Sequence, residues 1–530
     1  HQTIANLACI VQTILPAAPD RSSQNHSIDL HLPGYHNAFV YAFNNVVLGL
    51  IFLKFISDKF EKQRQELIDK GQEAFIDIPA FYTQDNIFYL PKESRWSYII
   101  ANAKQNDIAI KIDKALSDIE SSNESLKGAL PDNNFYSNLG IERSKLSSLL
   151  DAINKIDTQK NPEIDLIGRV YEYFLQKFSI DGGKKGEFYT PKSIVNLIAN
   201  MIEPYSGIVY DPCCGSGGMF VQSMKFIESH NGNKKNVSIY GQEQNRETFK
   251  LAKMNLALRG IGANLGDEPA DTFAKDLHKD LKADYIMANP PFNLKSWRGD
   301  KELLKDERWQ GYDVPPVSNA NYAWILNIVS KLSSNGIAGF LLANGALNAG
   351  GVEYKIRRNL IENNLVEAII VLPRDMFYST DISVTLWIIN KNKGSQRSMI
   401  NGNEVEIRDH KDEVLFMDLR TWGVEYEKKF IEVTDKESNR ATKIYHNWKK
   451  GTDYQDVPEL CYSAKKNEII ANDYSLAPSK YIEFVDRDLG LNYQEEMARI
   501  QKEFAELLSE EKKSQQDILD AFKGLGYEIR

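Results

Sequence analysis

Cysteine is scarce in this sequence: four in 530 residues, with Cys213 and Cys214 adjacent, which excludes a disulfide framework. A reducing cytoplasm is the compartment that this usage implies. Long apolar runs are lacking too. The longest, such as Val46–Leu53 with Lys54 behind it, fall far short of the roughly 20 residues of a membrane span. No basic start, apolar block and small-residue cleavage site open the chain, so no signal peptide is expected. There is no excess of positive charge either. With 64 Lys and Arg against 73 Asp and Glu the net charge is −9, which argues against a free-standing protein that grips nucleic acid by broad phosphate neutralisation. Local basic patches or a partner would have to supply part of any such grip.

What is present is an ordinary globular composition, 42% apolar and 26% charged, over a length that calls for two or three domains. Residues 1–160 read as a helical N-terminal domain. In VVLGLIFLKFISDKFEKQRQEL (46–67) the apolar positions are expected on one face, and Asp151–Phe178 carries a second helical pattern. From about 185 to 420 the texture changes. Short β-rich runs, GIVYDP (207–212), VSIYGQE (237–243), ADYIMANP (283–290), GIAGFLLAN (336–344), VEAIIVLP (366–373) and VTLWIIN (384–390), alternate with helical stretches such as Glu247–Arg259 and Tyr322–Leu332. Alternation of this kind predicts βαβ units and a mostly parallel, doubly wound α/β sheet, with ligands at the carboxyl ends of its strands. Residues 421–490 are mixed. From Asn492 to Phe522 a charged helix carries Met497, Ile500, Phe504, Leu507, Ile518 and Phe522 at three-four spacing, and is expected to dock on a partner or on the N-terminal domain.

Three motifs fall at predicted strand ends. Asp211-Pro-Cys-Cys-Gly-Ser-Gly-Gly218 follows the strand GIVY. It is neither a phosphate loop nor G-x-G-x-x-G; it offers a carboxylate and then a tight turn of small residues, suited to a ligand with an ammonium group. Glu243 ends the next strand, where doubly wound folds hold ribose hydroxyls. Asn289-Pro290-Pro291-Phe292 follows ADYIMA. Its prolines stiffen a loop in which the Asn289 amide oxygen and the Pro290 carbonyl can converge on an exocyclic amine, with Phe292 as a stacking face for a base flipped out of its duplex. Each motif taken singly has a plainer reading, as a Gly-rich turn, a solvated acid or loop punctuation; their order along the chain favours the chemical one. Between 294 and 312, Lys295, Trp297, Arg298, Lys301, Lys305, Arg308 and Trp309 are interspersed with acids, and two readings stand: a surface that tracks nucleic acid, or an ordinary solvated helix.

Asp-Pro-x-x-Gly-Ser-Gly followed by Asn-Pro-Pro-Phe resembles the amino-methyltransferases whose cofactor motif precedes the catalytic one. GEFYTP (186–191), GRVYEYFL (168–175), GQEQN (241–245), KMNLALRGI (253–261), NANYAW (319–324) and LANG (342–345) resemble, more narrowly, the modification subunits of Type I restriction–modification systems, from about Val46 to at least Leu419. The resemblance implies a Rossmann-like, S-adenosylmethionine-dependent methyltransferase domain at 161–420, between the helical domain at 1–160 and the mixed region at 421–490, with a C-terminal helix for partner contact at 491–530. It implies transfer of a methyl group to adenine N6 in DNA, with no metal. Glu187, Phe188, Tyr189, Thr190, Pro191 and Lys192 would line the methionine end of the cofactor. Asp211, Gly215, Ser216, Gly217 and Gly218 would form the turn around it, Glu243 would hold its ribose, and Asp271, or its neighbour Asp267, its adenine. Asn289, Pro290, Pro291 and Phe292 would hold the target base. Implied partners are double-stranded DNA, a specificity subunit in a two-modification-one-specificity complex, and a translocase/nuclease restriction subunit, with no membrane. Ala8–Asn44 departs from the family pattern, lacking the Trp-containing and charged helices expected before VVLGLIFLK. Cys213 and Cys214 have no nucleophilic part in this scheme. Rival acceptors are a protein glutamine amide or an RNA base; a degenerate assembly subunit and a nicotinamide dehydrogenase fit the motifs less well.

Overall fold

The computed structural model describes residues 33–84, 87–156, 190–230, 232–377, 381–426, 430–485 and 493–524, with the backbone alone for 33–45, 426, 522 and 524. The expected helical segment 157–178, the motif GRVYEYFL and residues 186–189 of GEFYTP lie outside them. The chain divides into two units, His1–Ile482 and Glu483–Arg530. None of the helices in the described residues is long and apolar enough to cross a membrane.

The first unit opens with α1 (Pro33–Asp69), which packs with α2 (Ile108–Ser122) and α3 (Arg143–Asn154). Residues 46–53 of α1 are buried on every side, not along one face as their spacing suggested, because α2, α3 and the loops between them wrap that stretch. Gly49 permits the closest approach: a Cβ there would lie 2.5 Å from the Tyr136 hydroxyl, which donates to the Val46 carbonyl at 3.0 Å.

The remaining elements in order are α4 (Lys192–Ile202), β1 (Gly207–Asp211), α5 (Gly218–Ser229), β2 (Val237–Gly241), α6 (Arg246–Leu258), β3 (Ala263–Asn264), β4 (Ala283–Ala288), α7 (Asn321–Lys331), β5 (Leu332–Ala343), α8 (Gly351–Glu362), β6 (Val366–Val371), β7 (Val384–Asn390), β8 (Gln396–Ile400), β9 (Asn403–Ile407), β10 (Glu413–Asp418), α9 (Asp435–Lys450) and β13 (Cys461–Lys465). A small hairpin, β11 (Val424–Tyr426) and β12 (Phe430–Glu432), precedes α9. Nine strands form one sheet in the order β13-β10-β6-β7-β5-β4-β1-β2-β3. Its centre is parallel; β7 enters antiparallel between β5 and β6, and β13 closes one edge antiparallel to β10. All six strands expected from the β-rich runs are present, and successive side chains point to opposite faces. Val209, Met287, Leu341 and Ile370 join the core under α4, α5 and α9; Tyr210, Ile286, Phe340 and Ile369 join the core under α7 and α8.

Two features brace this frame. α6 is shared by two cores: Leu251, Met254 and Leu258 belong to the helical one, while Phe249, Ala252 and Leu256 belong to the sheet. Asp132 bonds Lys250 on the same helix at 2.8 Å. At the amino end of β6, Glu367 is buried and accepts from His410 Nε2 at 3.0 Å, from Tyr445 and from Asn390, with Lys449 at 3.5 Å. Burial opposes its charge, yet Lys449 and the bonds from His410 and Tyr445 hold its carboxyl well below the usual carboxylate range. The cluster ties α9 to the sheet. The second unit is a single described helix, α10 (Tyr493–Gly524), with Met497, Ile500, Phe504, Leu507 and Ile518 exposed.

Replacing Glu367 by Ala leaves Lys449 without its ion-pair partner in the interior, and the donors of His410, Tyr445 and Asn390 without their acceptor, and is expected to cost about 3–5 kcal/mol at pH 7, measured by urea unfolding. Because the folded-state pKa is depressed, that stabilisation is present above the unfolded glutamate value of about 4.3 and fades as the pH falls below it. The gap between wild type and Glu367→Ala therefore narrows in acid.

Candidate active site

The carboxyl ends of β1, β2 and β4 share one edge of the sheet, since β1 runs parallel to both neighbours. Asp211 ends β1. Its carbonyl accepts from Gln242 N at 3.0 Å, and the Gln242 carbonyl accepts from Cys214 N at 2.9 Å, so the two strand ends are laced together. The turn then runs through Gly215 (φ 53°) and Gly217 (φ 79°), both in the left-handed region that glycine tolerates. Among the described residues, Cβ atoms on Gly215 or Gly218 would meet nothing within 4 Å, so the turn borders open space there. α5 starts at Gly218, with its amino end at the turn. Beneath it, Asn255 of α6 donates from Nδ2 to the Ser216 carbonyl at 2.7 Å.

Two carboxylates flank this space. Asp211 is buried and accepts from Cys213 N at 3.0 Å. Burial, against that bond and with the charge of Glu243 nearby, pushes its pKa up to about 7. Glu243 accepts from Gly215 N at 3.0 Å through Oε2 and from Asn245 N at 2.8 Å through Oε1. It thus clamps the Gly turn, a structural part that its place at a strand end did not announce. Burial, with Asp211 and Glu243 alongside, also pushes the Cys213 and Cys214 thiols well up, which suppresses the thiolate and agrees with a packing role.

Asp271 sits in a loop fixed at several points. Its Oδ1 accepts from Phe273 N at 2.8 Å and Ala274 N at 2.9 Å. Buried Gln242 donates to the Ala270 and Lys275 carbonyls at 3.1 and 2.7 Å and accepts from Leu277 N at 3.1 Å. The Thr272 hydroxyl reaches the Pro212 carbonyl. Asp267 instead lines a separate cleft of about 810 Å³ between the helical region and α6, with Phe88, Lys127 and Lys253.

Asn289 follows β4. Its Nδ2 donates to Thr190 Oγ1 at 2.9 Å, while its Oδ1 is shielded from solvent and has no hydrogen-bond partner among the described residues. The loop after it is held by Asn321, which accepts from Asn293 N at 3.0 Å and donates to Asn293 Oδ1 at 2.9 Å. Phe292 is half-buried and meets the edge of Phe377, ring centroids 6.0 Å apart at 89°. Pro191 caps α4, and Lys192 is exposed in its first turn; Glu187, Phe188 and Tyr189 lie outside the described residues.

Residues 294–312 correct the reading of that segment as a solvated helix. They form a loop with one short turn at Glu307–Trp309, and its aromatic and guanidinium groups are largely structural. Trp297 and Trp309 pack about Phe273, and Arg308 donates to the Thr272 and Phe273 carbonyls at 2.7 and 2.8 Å. Lys295, Lys301 and Lys305 are exposed. Gln242, Asn255, Thr272, Asn321 and Phe377 are site-supporting residues that sequence reasoning did not single out; Gln242, Asn255 and Asn321 lie within the family-like motifs.

A doubly wound sheet with this glycine turn and an Asn-Pro-Pro-Phe loop at the same edge belongs to the methyltransferases as a class. The family model described as N-6 DNA Methylase matches residues 162–488, and that of the HsdM N-terminal domain matches 41–156. The chain is 38% identical over 434 residues to the Type I restriction enzyme HindI methylase subunit of Haemophilus influenzae, covering 80% of this chain and 94% of that protein. It is 32% identical over 511 residues to the Type I restriction enzyme MjaIX methylase subunit of Methanocaldococcus jannaschii, covering 92% and 88%. Among solved structures, the type I restriction-modification methyltransferase subunit from Streptococcus thermophilus matches with a TM-score of 0.70 at 20% identity, over 91% of this chain and 98% of that one. A chain from a structural study of type I R-M complex assembly matches at 0.58 and 17%, over 98% of each. This chain belongs to the N-6 DNA methylase family, among the methylase subunits of Type I restriction enzymes.

Truncating Gln242 to Ala leaves the Ala270 and Lys275 carbonyls and the Leu277 N–H without this side-chain partner and is expected to lower stability by about 1–3 kcal/mol. Urea unfolding tests this; an unchanged midpoint means that the 270–277 loop is held by other contacts.

Proposed function

We propose that this chain is the modification subunit of a Type I restriction–modification complex, transferring a methyl group from S-adenosylmethionine to adenine N6 in double-stranded DNA. The observation that carries the reading is the buried, unpartnered Asn289 Oδ1 beside a stiff Pro-Pro-Phe loop. An acceptor of this kind is costly to leave unmade and suits an exocyclic amine.

The residues present fit the cofactor. The open space over Gly215 and Gly218 admits a ligand close to the backbone, and the Asp211–Glu243 pair suits one carrying an ammonium and a sulfonium. Glu187, Phe188, Tyr189, Thr190, Pro191 and Lys192 would line its methionine end. Asp211, Gly215, Ser216, Gly217 and Gly218 would surround it, with Glu243 at the ribose and Asp271 at the adenine. When bound, S-adenosylmethionine supplies an electrophilic methyl group. Asn289 Oδ1 and the Pro290 carbonyl accept from the two N6 hydrogens, favouring a pyramidal nitrogen whose lone pair has left the ring. Pro291 holds the loop, and Phe292 stacks on the flipped base. Transfer of that methyl group to N6 would release the sulfur as the neutral thioether S-adenosylhomocysteine, with one N6 proton passing to solvent. Alignment is the other contribution.

The apolar positions of α10 are the proposed contact for a specificity subunit in a two-to-one complex, which a restriction subunit joins, in the cytoplasm.

Tritium transfer from labelled cofactor to DNA, with the cognate specificity subunit present, tests the reading. Label is expected as N6-methyladenine, reduced at least about 100-fold by Asn289→Ala. Cofactor binding without DNA label would move the acceptor to protein or RNA. The raised pKa of Asp211 gives a second expectation. Below about 7 the group is protonated in the folded chain, so its own contribution to stability falls as pH rises between the unfolded value, about 3.9, and about 7. A cationic ligand favours the ionised form. Cofactor affinity, measured by calorimetry, should therefore climb with pH and level off above about pH 8, with the dependence lost in Asp211→Asn.

A further inference from the structure

We infer that Thr190 is a positioning residue for the transfer: its hydroxyl sets the rotation of the Asn289 side-chain amide so that the carbonyl oxygen faces the target amine. The inference rests on the reading of Asn289 given above.

A primary amide has two nearly isosteric ends, a donor and an acceptor, and a half-turn about its last bond exchanges them. Only one orientation serves the proposed reaction. With Oδ1 toward the base, the amide accepts from N6; with Nδ2 there, two N–H groups face an N–H donor. Neither the prolines nor the end of β4 distinguishes these states, because they fix the backbone and leave the side-chain torsion free. In the structure the first is held by a 2.9 Å hydrogen bond in which Asn289 Nδ2 donates to Thr190 Oγ1: the hydroxyl takes the acceptor role toward the amide, and Oδ1 of the same amide is buried and, among the described residues, without a partner.

Thr190 is well placed for this. It directly precedes Pro191, the N-cap of α4. α4 is a firm platform: Ile194, Ile198 and Ile202 are buried, and Ile198 lies so close to β5 that a Cβ on Gly339 would stand 2.7 Å from it. The hydroxyl that orients the amide is thus tied to one helix against the sheet, and the amide to the end of a central strand, which is how a side-chain rotamer is held to a productive geometry. A proton turned from the hydroxyl to the amide would favour the opposite rotation, so the acceptor role holds while that proton is donated elsewhere. A direct part for Thr190 in holding the methionine end of the cofactor is therefore compatible with the bond to Asn289, and the two roles separate by experiment.

The test uses the full chain reconstituted with its specificity subunit and a duplex carrying the target site. Single-turnover methylation is measured at saturating cofactor and DNA for wild type, Thr190→Val, Thr190→Ser, Asn289→Ala and Thr190→Val/Asn289→Ala, and affinity for S-adenosylhomocysteine is measured by calorimetry. Valine keeps the shape and removes the acceptor; serine restores it. The expected result is a rate about 10- to 100-fold lower for Thr190→Val, with S-adenosylhomocysteine affinity within about threefold of wild type and Thr190→Ser near wild type. In the Asn289→Ala background the valine change should have no further effect, a non-additivity that a merely structural role would not give. A wild-type rate for Thr190→Val beside an inactive Asn289→Ala overturns the inference and leaves the site reading standing. A loss confined to S-adenosylhomocysteine affinity, with the saturated rate intact, overturns it in favour of a cofactor ligand. Full activity in Asn289→Ala overturns the site reading itself.

Discussion

Two backbone hydrogen bonds between the ends of β1 and β2 organise everything at this edge of the sheet. Gln242 N donates to the Asp211 carbonyl, and Cys214 N to the Gln242 carbonyl. They make the chain turn sharply out of β1 while it is still paired with its neighbour. The turn in this position needs two left-handed residues, and glycine provides them. It also brings the amide of Gly215 within reach of Glu243, so that an acid at one strand tip fixes the loop at the next. The same Gln242 whose backbone makes the lacing holds, through its side chain, the loop carrying Asp271. One residue thereby sets the spacing of the turn, the second strand end and the third loop. Its neighbours Asp211 and Glu243 are the charged groups that a cationic ligand would meet.

The helical region contributes to this edge without lying on it. α6 sends one face into the helical core and another under the sheet, while Asn255 on the same helix holds the Ser216 carbonyl of the turn. The lost freedom of the turn is therefore secured by packing that spans both parts of the first unit. This explains why a glycine-rich segment can keep a defined shape beside open space.

Much of this was legible in the sequence. The six expected strands are short apolar runs, β6 and β7 buried throughout and β1, β4 and β5 buried toward their carboxyl ends, as the middle of a sheet covered on both faces requires. Asp211, Glu243 and Asn289 were legible because each closes such a run with a residue type that has little reason to be there otherwise. Other parts were not. β13 has only Cys461 and Ala464 buried, so no apolar run marks it, and α9 hides Tyr445 and Trp448 in an otherwise charged segment. The burial of residues 46–53 of α1 on all sides depends on loops far along the chain, and periodicity does not contain that information. The tryptophans and Arg308 of the 294–312 segment look like a nucleic-acid surface in sequence, because basic and aromatic residues also build small structural clusters around backbone carbonyls. Pairings across long separations were the least legible: Thr190 and Asn289 are 99 residues apart, and only the fold brings the motifs that contain them together.

The central claim is that the Asn289 carbonyl oxygen is an acceptor kept for the amine of an adenine. It is tested most directly by a structure of the chain with its specificity subunit, a duplex carrying the target site and S-adenosylhomocysteine. The account predicts an adenine turned out of the helix with N6 about 3 Å from Asn289 Oδ1. An adenine still stacked and paired, or Oδ1 satisfied by a protein donor while the base lies elsewhere, would contradict it.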